Sequence, residues 1–158
     1  MAKTLMIHPD KCTGCRTCEL ACSFFHDGEF RPTTSRISVH TWEMEGFSTP
    51  MTCQQCEDAP CVAVCPSGAM HIDPTLNRVA WDAEKCIGCR MCTLACPFGA
   101  VFYLRPNRII KCDLCGGEPE CVAFCPTGAL QYVEETDAVK GRRKAFAAEF
   151  KRAFEEVG

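Results

Sequence analysis

The chain of 158 residues is long enough for one domain or for two small fused modules. Its formal net charge is −3, and no stretch approaches the roughly 18 apolar residues of a membrane-spanning helix. Sixteen cysteines would be typical of a disulfide-rich secreted protein, yet the first residues have neither a signal-length apolar run nor a twin arginine. We therefore expect a cytoplasmic protein whose clustered cysteines bind metal, because disulfides do not persist in that reducing compartment.

The first cysteine motif has the spacing C-x2-C-x2-C-x3-C, and a second copy of it follows 74 residues later. The first copy is Cys12, Cys15, Cys18 and Cys22, and the later copy is Cys86, Cys89, Cys92 and Cys96. Each copy comes after an apolar residue, an acid and a lysine, so the two form an internal repeat. The later copy, which ends in Cys-Pro, is typical of bacterial ferredoxins, in which three thiolates bind one iron–sulfur cube and the fourth binds a neighbouring cube. Zinc sites use separated cysteine pairs, which argues against zinc.

The insert at 23–52 separates the first motif from the next cysteines. Within it, Ile37 and Val39 alternate with Ser38 and His40, and this period of two predicts a strand from Ser35 to Trp42. The strand has two interpretations: it covers a cluster module, or it presents an edge to a partner.

Two further motifs share a different spacing, with four or five residues in the middle gap. They are Cys53, Cys56, Cys61 and Cys65, and then Cys112, Cys115, Cys121 and Cys125. Three of the four motifs continue with Pro-x-Gly-Ala, which predicts a turn, and strands are predicted at Val101–Leu104 and Leu130–Val133. The first motif differs because Ser23 follows Cys22, so we expect its fourth ligand to lie in a different local turn.

Four motifs of four cysteines leave no thiol over, which indicates four 4Fe-4S clusters and no catalytic thiol. Each oxidised cube with its thiolates adds about −2, so the loaded protein has a charge of roughly −11, which argues against nucleic-acid binding. We expect the apo-chain to be unfolded or molten, because much of its apolar content surrounds cofactors. Lys11 and Lys85 are interpreted as charge balance near the cubes, and His8, His26, His40 and His71 as structural.

The residues after Val133 differ from the rest of the chain. Phe146, Phe150 and Phe154 recur every four residues opposite a basic side, which predicts an amphipathic helix within 134–158. The helix has two interpretations: it packs on its own body, or it docks its aromatic stripe on another subunit.

Spacing alone allows two ways to exchange the fourth cysteines. The motifs pair as neighbours, first with second and third with fourth, or they nest, first with fourth and second with third. The segment 53–96 by itself looks like a two-cluster ferredoxin, which favours nesting. The predicted fold is α+β, with two fused ferredoxin-like modules in a domain at 1–133. The outer module takes 12–22 and 112–125, and the inner module takes 53–65 and 86–96.

The order of the four motifs and the C-D-L-C-x5-C-V-x2-C-P ending resemble the four-cluster electron-transfer subunits of molybdenum and tungsten oxidoreductases, carbon monoxide dehydrogenases and some hydrogenases. The resemblance covers residues 5 to about 133 and implies the nested scheme. It implies these ligand sets: Cys12, Cys15, Cys18 and Cys125; Cys22, Cys112, Cys115 and Cys121; Cys53, Cys56, Cys61 and Cys96; Cys65, Cys86, Cys89 and Cys92.

A finer resemblance lies at 21–37, in Ala21-Cys22-Ser23, His26-Asp27-Gly28, Arg31-Pro32 and Ser35-Arg36-Ile37. These segments are similar to the small iron–sulfur subunit that accompanies tungsten enzymes of the aldehyde ferredoxin oxidoreductase family, including benzoyl-CoA reductase complexes. The resemblance implies an anaerobic complex in which the chain has no substrate site of its own. Single electrons from aldehyde oxidation would pass through it from a tungsten-pterin subunit to a flavin subunit or ferredoxin.

Three other functions stay open. The chain could serve a molybdenum enzyme, a hydrogenase, a carbon monoxide dehydrogenase or a benzoyl-CoA reductase in the same relay role. It could be a freestanding polyferredoxin that exchanges electrons by transient collision. It could also be an iron–sulfur scaffold or sensor, which would require clusters that are not reduced at the potential of a partner.

Overall fold

The computed structural model describes residues 3–104 and 108–134, together with the single positions 136, 141, 144, 148 and 152. The amphipathic helix predicted within 134–158 lies almost entirely outside the described residues. It therefore stays a prediction.

The described residues form short helices and strands, which is compatible with an α+β fold. The helices are α1 (Thr17–Asp27), α2 (Pro60–Ala63), α3 (Met91–Ala95) and α4 (Glu120–Ala123). The strands are β1 (Lys3–Ile7), β2 (Ile37–Trp42), β3 (Phe47–Thr52), β4 (Met70–Asp73), β5 (Arg78–Trp81), β6 (Phe102–Leu104), β7 (Arg108–Ile110) and β8 (Leu130–Glu134). The strands predicted at Val101–Leu104 and Leu130–Val133 are confirmed as β6 and β8, each within one residue.

The strands pair into four separate antiparallel sheets of two strands each: β1 with β8, β2 with β3, β4 with β5, and β6 with β7. Three of these are hairpins, whereas β1 and β8 come from opposite ends of the described chain. Lys3 lies opposite Glu134 and Ile7 opposite Leu130, and the His8 N–H donates to Ala129 O at 2.8 Å. The first motif begins just after β1 and the fourth ends just before β8, so this pairing brings the two motifs together.

Two groups of buried side chains form the cores, and cysteines belong to both. The core of the outer part contains Ile37, Val39 and Leu130 together with cysteines of the first and fourth motifs. The core of the inner part contains Met70 and Val79, among others, together with cysteines of the second and third motifs. Each core therefore combines cysteines from two motifs. The motifs of the outer core are the first and the last in the sequence, and those of the inner core lie on either side of the β4–β5 hairpin. Apolar side chains pack around the cysteines of each core.

The internal repeat has the same local start in both copies but a different end. Arg16 and Arg90 adopt the left-handed conformation, with φ of 58° and 63°, and precede α1 and α3. In the later copy, Pro97 follows Cys96, and Cys96 is already extended, since proline disfavours a helical residue before it. In the first copy, Cys22 lies inside the eleven-residue α1. Cys22 therefore differs from the other fourth cysteines, as expected, but it lies within a helix and not in the different turn that was predicted.

The hairpin formed by β2 and β3 lies against α1. The strand predicted at Ser35–Trp42 is confirmed, although it begins two residues later at Ile37. Its first half covers the outer core, because Ile37 and Val39 are buried and the Val39 N–H donates to the buried Glu19 Oε1 at 2.6 Å. The partner strand β3 was not predicted from the sequence, and it contains Pro50, a residue that is rare inside strands.

Candidate metal centres

Two narrow cavities in the outer part are each lined by four cysteines. The first cavity, which we call set 1, has Cys12, Cys15, Cys18 and Cys125. The second cavity, set 2, has Cys22, Cys112, Cys115 and Cys121. Each set takes three cysteines from one motif and one from the other, so the structure brings together residues that are ninety or more positions apart in sequence.

The inner core contains cysteines of both the second and the third motif. Burial raises the pKa of Cys61, and the nearby charges of Cys53, Cys96 and Cys56 add to the rise. We call Cys53, Cys56, Cys61 and Cys96 set 3. Burial likewise raises the pKa of Cys92, with further contributions from Cys61, Cys65 and Cys86. Cys65, Cys86 and Cys92 lie together, and with the exposed Cys89, which the resemblance assigns to the same cluster, we call them set 4.

Contacts connect neighbouring sets. Cys18 of set 1 and Cys121 of set 2 belong to the same core. Gln55, between two cysteines of set 3, donates its Nε2 to Cys112 O of set 2 at 2.9 Å, and Cys61 of set 3 and Cys92 of set 4 share the other core. The two exposed cysteines are Cys15 and Cys89, which belong to the two end sets.

The Pro-x-Gly-Ala turn aims a backbone N–H at the fourth cysteine of a motif. Met70 N donates to Cys65 Sγ and Ala100 N donates to Cys96 Sγ, both at 3.4 Å. The turn requires Gly68, whose φ of +66° is a conformation that glycine adopts without strain. Burial alone would raise the pKa of Cys65, but the N–H of Met70 and the donors of Ser67 outweigh it, and the pKa falls below its usual value.

The chemistry of the donors fits iron–sulfur cubes. Each set supplies four sulfurs, and burial raises the pKa of Cys18 and Cys115 to about 12 and that of Cys112 to about 11. These thiols are neutral without metal, so iron binding must displace their protons. Arg36 lines the cavity of set 2, and its buried Nη1 has no hydrogen-bond partner among the described residues. An anionic cube in that cavity would compensate this cation.

A second buried cation lies where sets 2 and 3 meet. Lys111 is only 4 % exposed, and its Nζ donates to Val79 O and to Cys112 O, the latter at 2.7 Å. No carboxylate of residues 3–104 or 108–134 forms an ion pair with Lys111. Sequence reasoning singled out Lys85 instead, which forms an exposed ion pair with Asp82 at 3.1 Å. The sequence feature that could have indicated a buried Lys111 is its position between two isoleucines and the first cysteine of the fourth motif.

One histidine touches a predicted ligand. His26 Nε2 lies 3.6 Å from Cys115 Sγ and 3.4 Å from Asp113 Oδ1, and the side chain is 9 % exposed. Burial lowers the pKa of His26, and the Arg36 cation lowers it further, against the opposing charge of Asp113. The sequence interpretation of all four histidines as merely structural therefore missed this contact, which only the fold creates.

The structure also bears on disulfide bonds and on a membrane-spanning helix, two features that the sequence argues against. All sixteen cysteines lie within the described residues, and each of them is a free thiol. Within the described part of the chain, no helix is both long enough and apolar enough to cross a bilayer. Cytoplasmic location stays a prediction.

Cysteines in sets of four, held by short helices and two-stranded sheets, define a ferredoxin-like iron–sulfur protein. Residues 44–135 match the model of the 4Fe-4S dicluster domain, and residues 5–24 match the 4Fe-4S binding domain. The chain belongs to the 4Fe-4S dicluster family. With its sixteen cysteines, the two matched domains account for four 4Fe-4S clusters.

Relatives of the chain include an oxidoreductase subunit and an electron transport protein. The polyferredoxin-like subunit of aliphatic sulfonate oxidoreductase from Pyrococcus furiosus is 46% identical over 120 residues, covering 75% of this chain and 68% of the relative. The electron transport protein HydN of Escherichia coli is 37% identical over 174 residues, covering 92% and 98%. A solved structure, the active site complex BamBC of benzoyl coenzyme A reductase with benzoyl-CoA, contains a similar chain at 26% identity, with a TM-score of 0.51 and coverage of 98% and 97%. The chain is thus an electron-transfer subunit of oxidoreductase complexes and not an enzyme by itself.

We expect removal of the clusters to unfold the protein, because buried sulfurs form much of both cores and need iron to hold them together. Anaerobic extraction with a ferrous chelator should abolish the far-ultraviolet circular dichroism of helices and strands. Reconstitution with iron and sulfide should restore it, together with roughly sixteen irons per chain. An apo-chain that retains a cooperative thermal transition would contradict the expectation.

Proposed function

We propose that the four cysteine sets hold four 4Fe-4S clusters in one row and that single electrons pass along this row from one partner to another. The observation that supports the proposal is the chain of contacts from set 1 through sets 2 and 3 to set 4, with the exposed Cys15 and Cys89 in the first and last sets. An exposed ligand at each end lets a cluster approach the surface of a partner. The protein contributes burial, charge and hydrogen bonds to sulfur, which adjust the reduction potentials.

The assignment of ligands to clusters is tested by pairs of serine substitutions. In the nested scheme, Cys15 and Cys125 bind one cluster, whereas Cys65 belongs to another. We expect the double variant Cys15→Ser/Cys125→Ser to impair one cluster, the same one that the single variant Cys15→Ser impairs. The double variant Cys15→Ser/Cys65→Ser should impair two clusters. Iron analysis and electron paramagnetic resonance of the reduced clusters count them. Pairing between neighbouring motifs predicts the opposite result for the two double variants.

We further propose that the catalytic partner is a tungsten-pterin subunit that oxidises an aldehyde to a carboxylic acid, with a flavin subunit or a ferredoxin as the second partner. The segments at 21–37 support this choice by their resemblance to the small subunits of such enzymes. The names of the relatives support a place in a larger complex, since one is a subunit of an oxidoreductase and another belongs to an active site complex. A molybdenum enzyme or a benzoyl-CoA reductase complex is the alternative catalytic partner.

Anaerobic native purification of the full chain separates these partners. We expect a larger subunit to accompany the chain with stoichiometric tungsten, in addition to roughly sixteen irons on the chain itself. Stoichiometric molybdenum in place of tungsten would reject the tungsten-pterin partner but would leave the proposed electron relay unchanged. A lone chain with sixteen irons would support a freestanding polyferredoxin, and stoichiometric zinc without iron would overturn the cluster assignment.

The internal repeat offers a matched test of the two ends. Leu20 on α1 and Leu94 on α3 occupy equivalent positions, two residues after the third cysteine of their motifs, and they are 37 % and 81 % exposed. Leu20→Gln and Leu94→Gln remove apolar contact area without changing charge. We expect each variant to lower the recovery of a different co-purifying partner by roughly tenfold, which corresponds to about 1.4 kcal/mol of binding free energy.

The control is Ile72→Gln, which alters an exposed apolar residue on β4 outside the two motif helices. It should leave both partners at their normal stoichiometry. If Leu20→Gln and Leu94→Gln lower the recovery of the same partner, the two ends do not bind two different partners, and the proposed relay from end to end is wrong.

A further inference from the structure

The last turn of α1 directs a histidine at the sulfur of set 2. His26 follows Cys22 by four residues on α1, so both side chains lie on the same face of the helix. The ring lines the cavity that contains Cys22, Cys112, Cys115 and Cys121. Nε2 lies 3.6 Å from Cys115 Sγ, within range of an N–H donating to sulfur.

Neighbouring groups fix the orientation of the ring. Asp113 Oδ1 lies 3.4 Å from the same Nε2 and accepts the backbone N–H of Cys115 at 3.2 Å. The ring of Phe25 meets the imidazole edge-on, with centroids 4.9 Å apart and an interplanar angle of 88°. A cysteine that binds iron has lost its proton, so a hydrogen bond between Nε2 and the Cys115 sulfur requires the proton to be on Nε2. The imidazole therefore faces the sulfur as a donor.

The inner part of the protein lacks this donor. Set 3 is the counterpart of set 2, with Cys56 in place of Cys115 and Cys96 in place of Cys22. The residue four positions after Cys96 is Ala100, whose methyl group donates no hydrogen bond. The repeat thus supplies two similar sites, of which one has a buried imidazole against a ligand sulfur.

We propose that His26 donates a hydrogen bond from Nε2 to the Cys115 thiolate and thereby raises the reduction potential of the cluster in set 2. The inference rests on the proposed function, because it takes set 2 as the ligands of one cluster. Reduction adds negative charge to the cube, and a donor to ligand sulfur stabilises the more negative state. The cluster of set 2 therefore holds an electron more readily than it would without the imidazole.

A separate metal ion is the competing use of the same atoms. His26, Asp113 and Cys115 bring three possible ligand atoms within 4.8 Å of one another. An ion held there would take the Cys115 thiolate away from the cube and would leave the cube with three cysteines. Stoichiometric zinc beside a reduced iron content would therefore overturn the hydrogen-bond proposal in favour of a metal site.

The test compares His26→Leu, which removes the donor, with His26→Gln, whose amide N–H replaces it. Anaerobic redox titration of the full chain, followed by electron paramagnetic resonance, gives the midpoint potential of each cluster. We expect His26→Leu to lower one of the four potentials, raising the oxidised-to-reduced ratio of that cluster roughly tenfold at a fixed potential, or about 59 mV for one electron. His26→Gln should restore most of the loss, and the three other potentials should stay unchanged.

The exposed His40 on β2 supplies the control, and His40→Leu should shift none of the potentials. Iron content is measured for every variant, because a change in packing alone would release iron instead of moving one potential. Four unchanged potentials in a His26→Leu protein with sixteen irons would reject the role of His26 and leave the relay intact. Four clusters remaining in Cys115→Ser would instead reject the ligand set itself.

Discussion

The structure depends on sulfur atoms that meet from distant parts of the chain. Cys125 joins the cysteines of the first motif and Cys22 joins those of the fourth, while β1 pairs with β8 to hold these motifs side by side. The strands and helices are short, and sheets of two strands have little stability of their own. The contacts around the cysteine sets must therefore provide the stability that longer elements provide in other proteins, which is why we expect iron binding and folding to be coupled.

Charge balance follows from this arrangement. Burial makes the free thiols hard to ionise, yet each bound cube is anionic, so the loaded interior gains negative charge in a poorly solvated environment. Two cations lie in suitable places: Arg36 beside set 2, and Lys111 where sets 2 and 3 meet. Among the described residues, the hydrogen-bond acceptors of Lys111 are the carbonyl oxygens of Val79 and Cys112, and its charge lowers the pKa of Cys61 and Cys112. In the proposed relay, this cation would stabilise negative charge on the clusters of sets 2 and 3.

Sequence spacing was enough to find the cysteines, the Pro-x-Gly-Ala turns and three of the strands, because each depends on residues that are close in sequence. It left two pairing schemes open, since nested pairing depends on contacts between residues ninety or more positions apart. It missed β3, whose Pro50 argues against a strand, and Lys111, whose burial depends on the packing of β5. These features depend on tertiary contacts that no local pattern encodes.

The contact of His26 has a local origin that the repeat makes visible. In the later copy, Pro97 stops α3 at Ala95, so the residue equivalent to His26 lies beyond a turn and contributes its backbone N–H to Cys96. In the first copy, Ser23 replaces the proline and uses its hydroxyl to bond Leu20 O, and the helix continues to Asp27. The backbone donor to Cys22 then has to come from elsewhere, and Arg36 N supplies it at 3.3 Å. One substitution after the fourth cysteine thus removes the local N–H donor and extends the helix far enough to place an imidazole in the neighbouring ligand set.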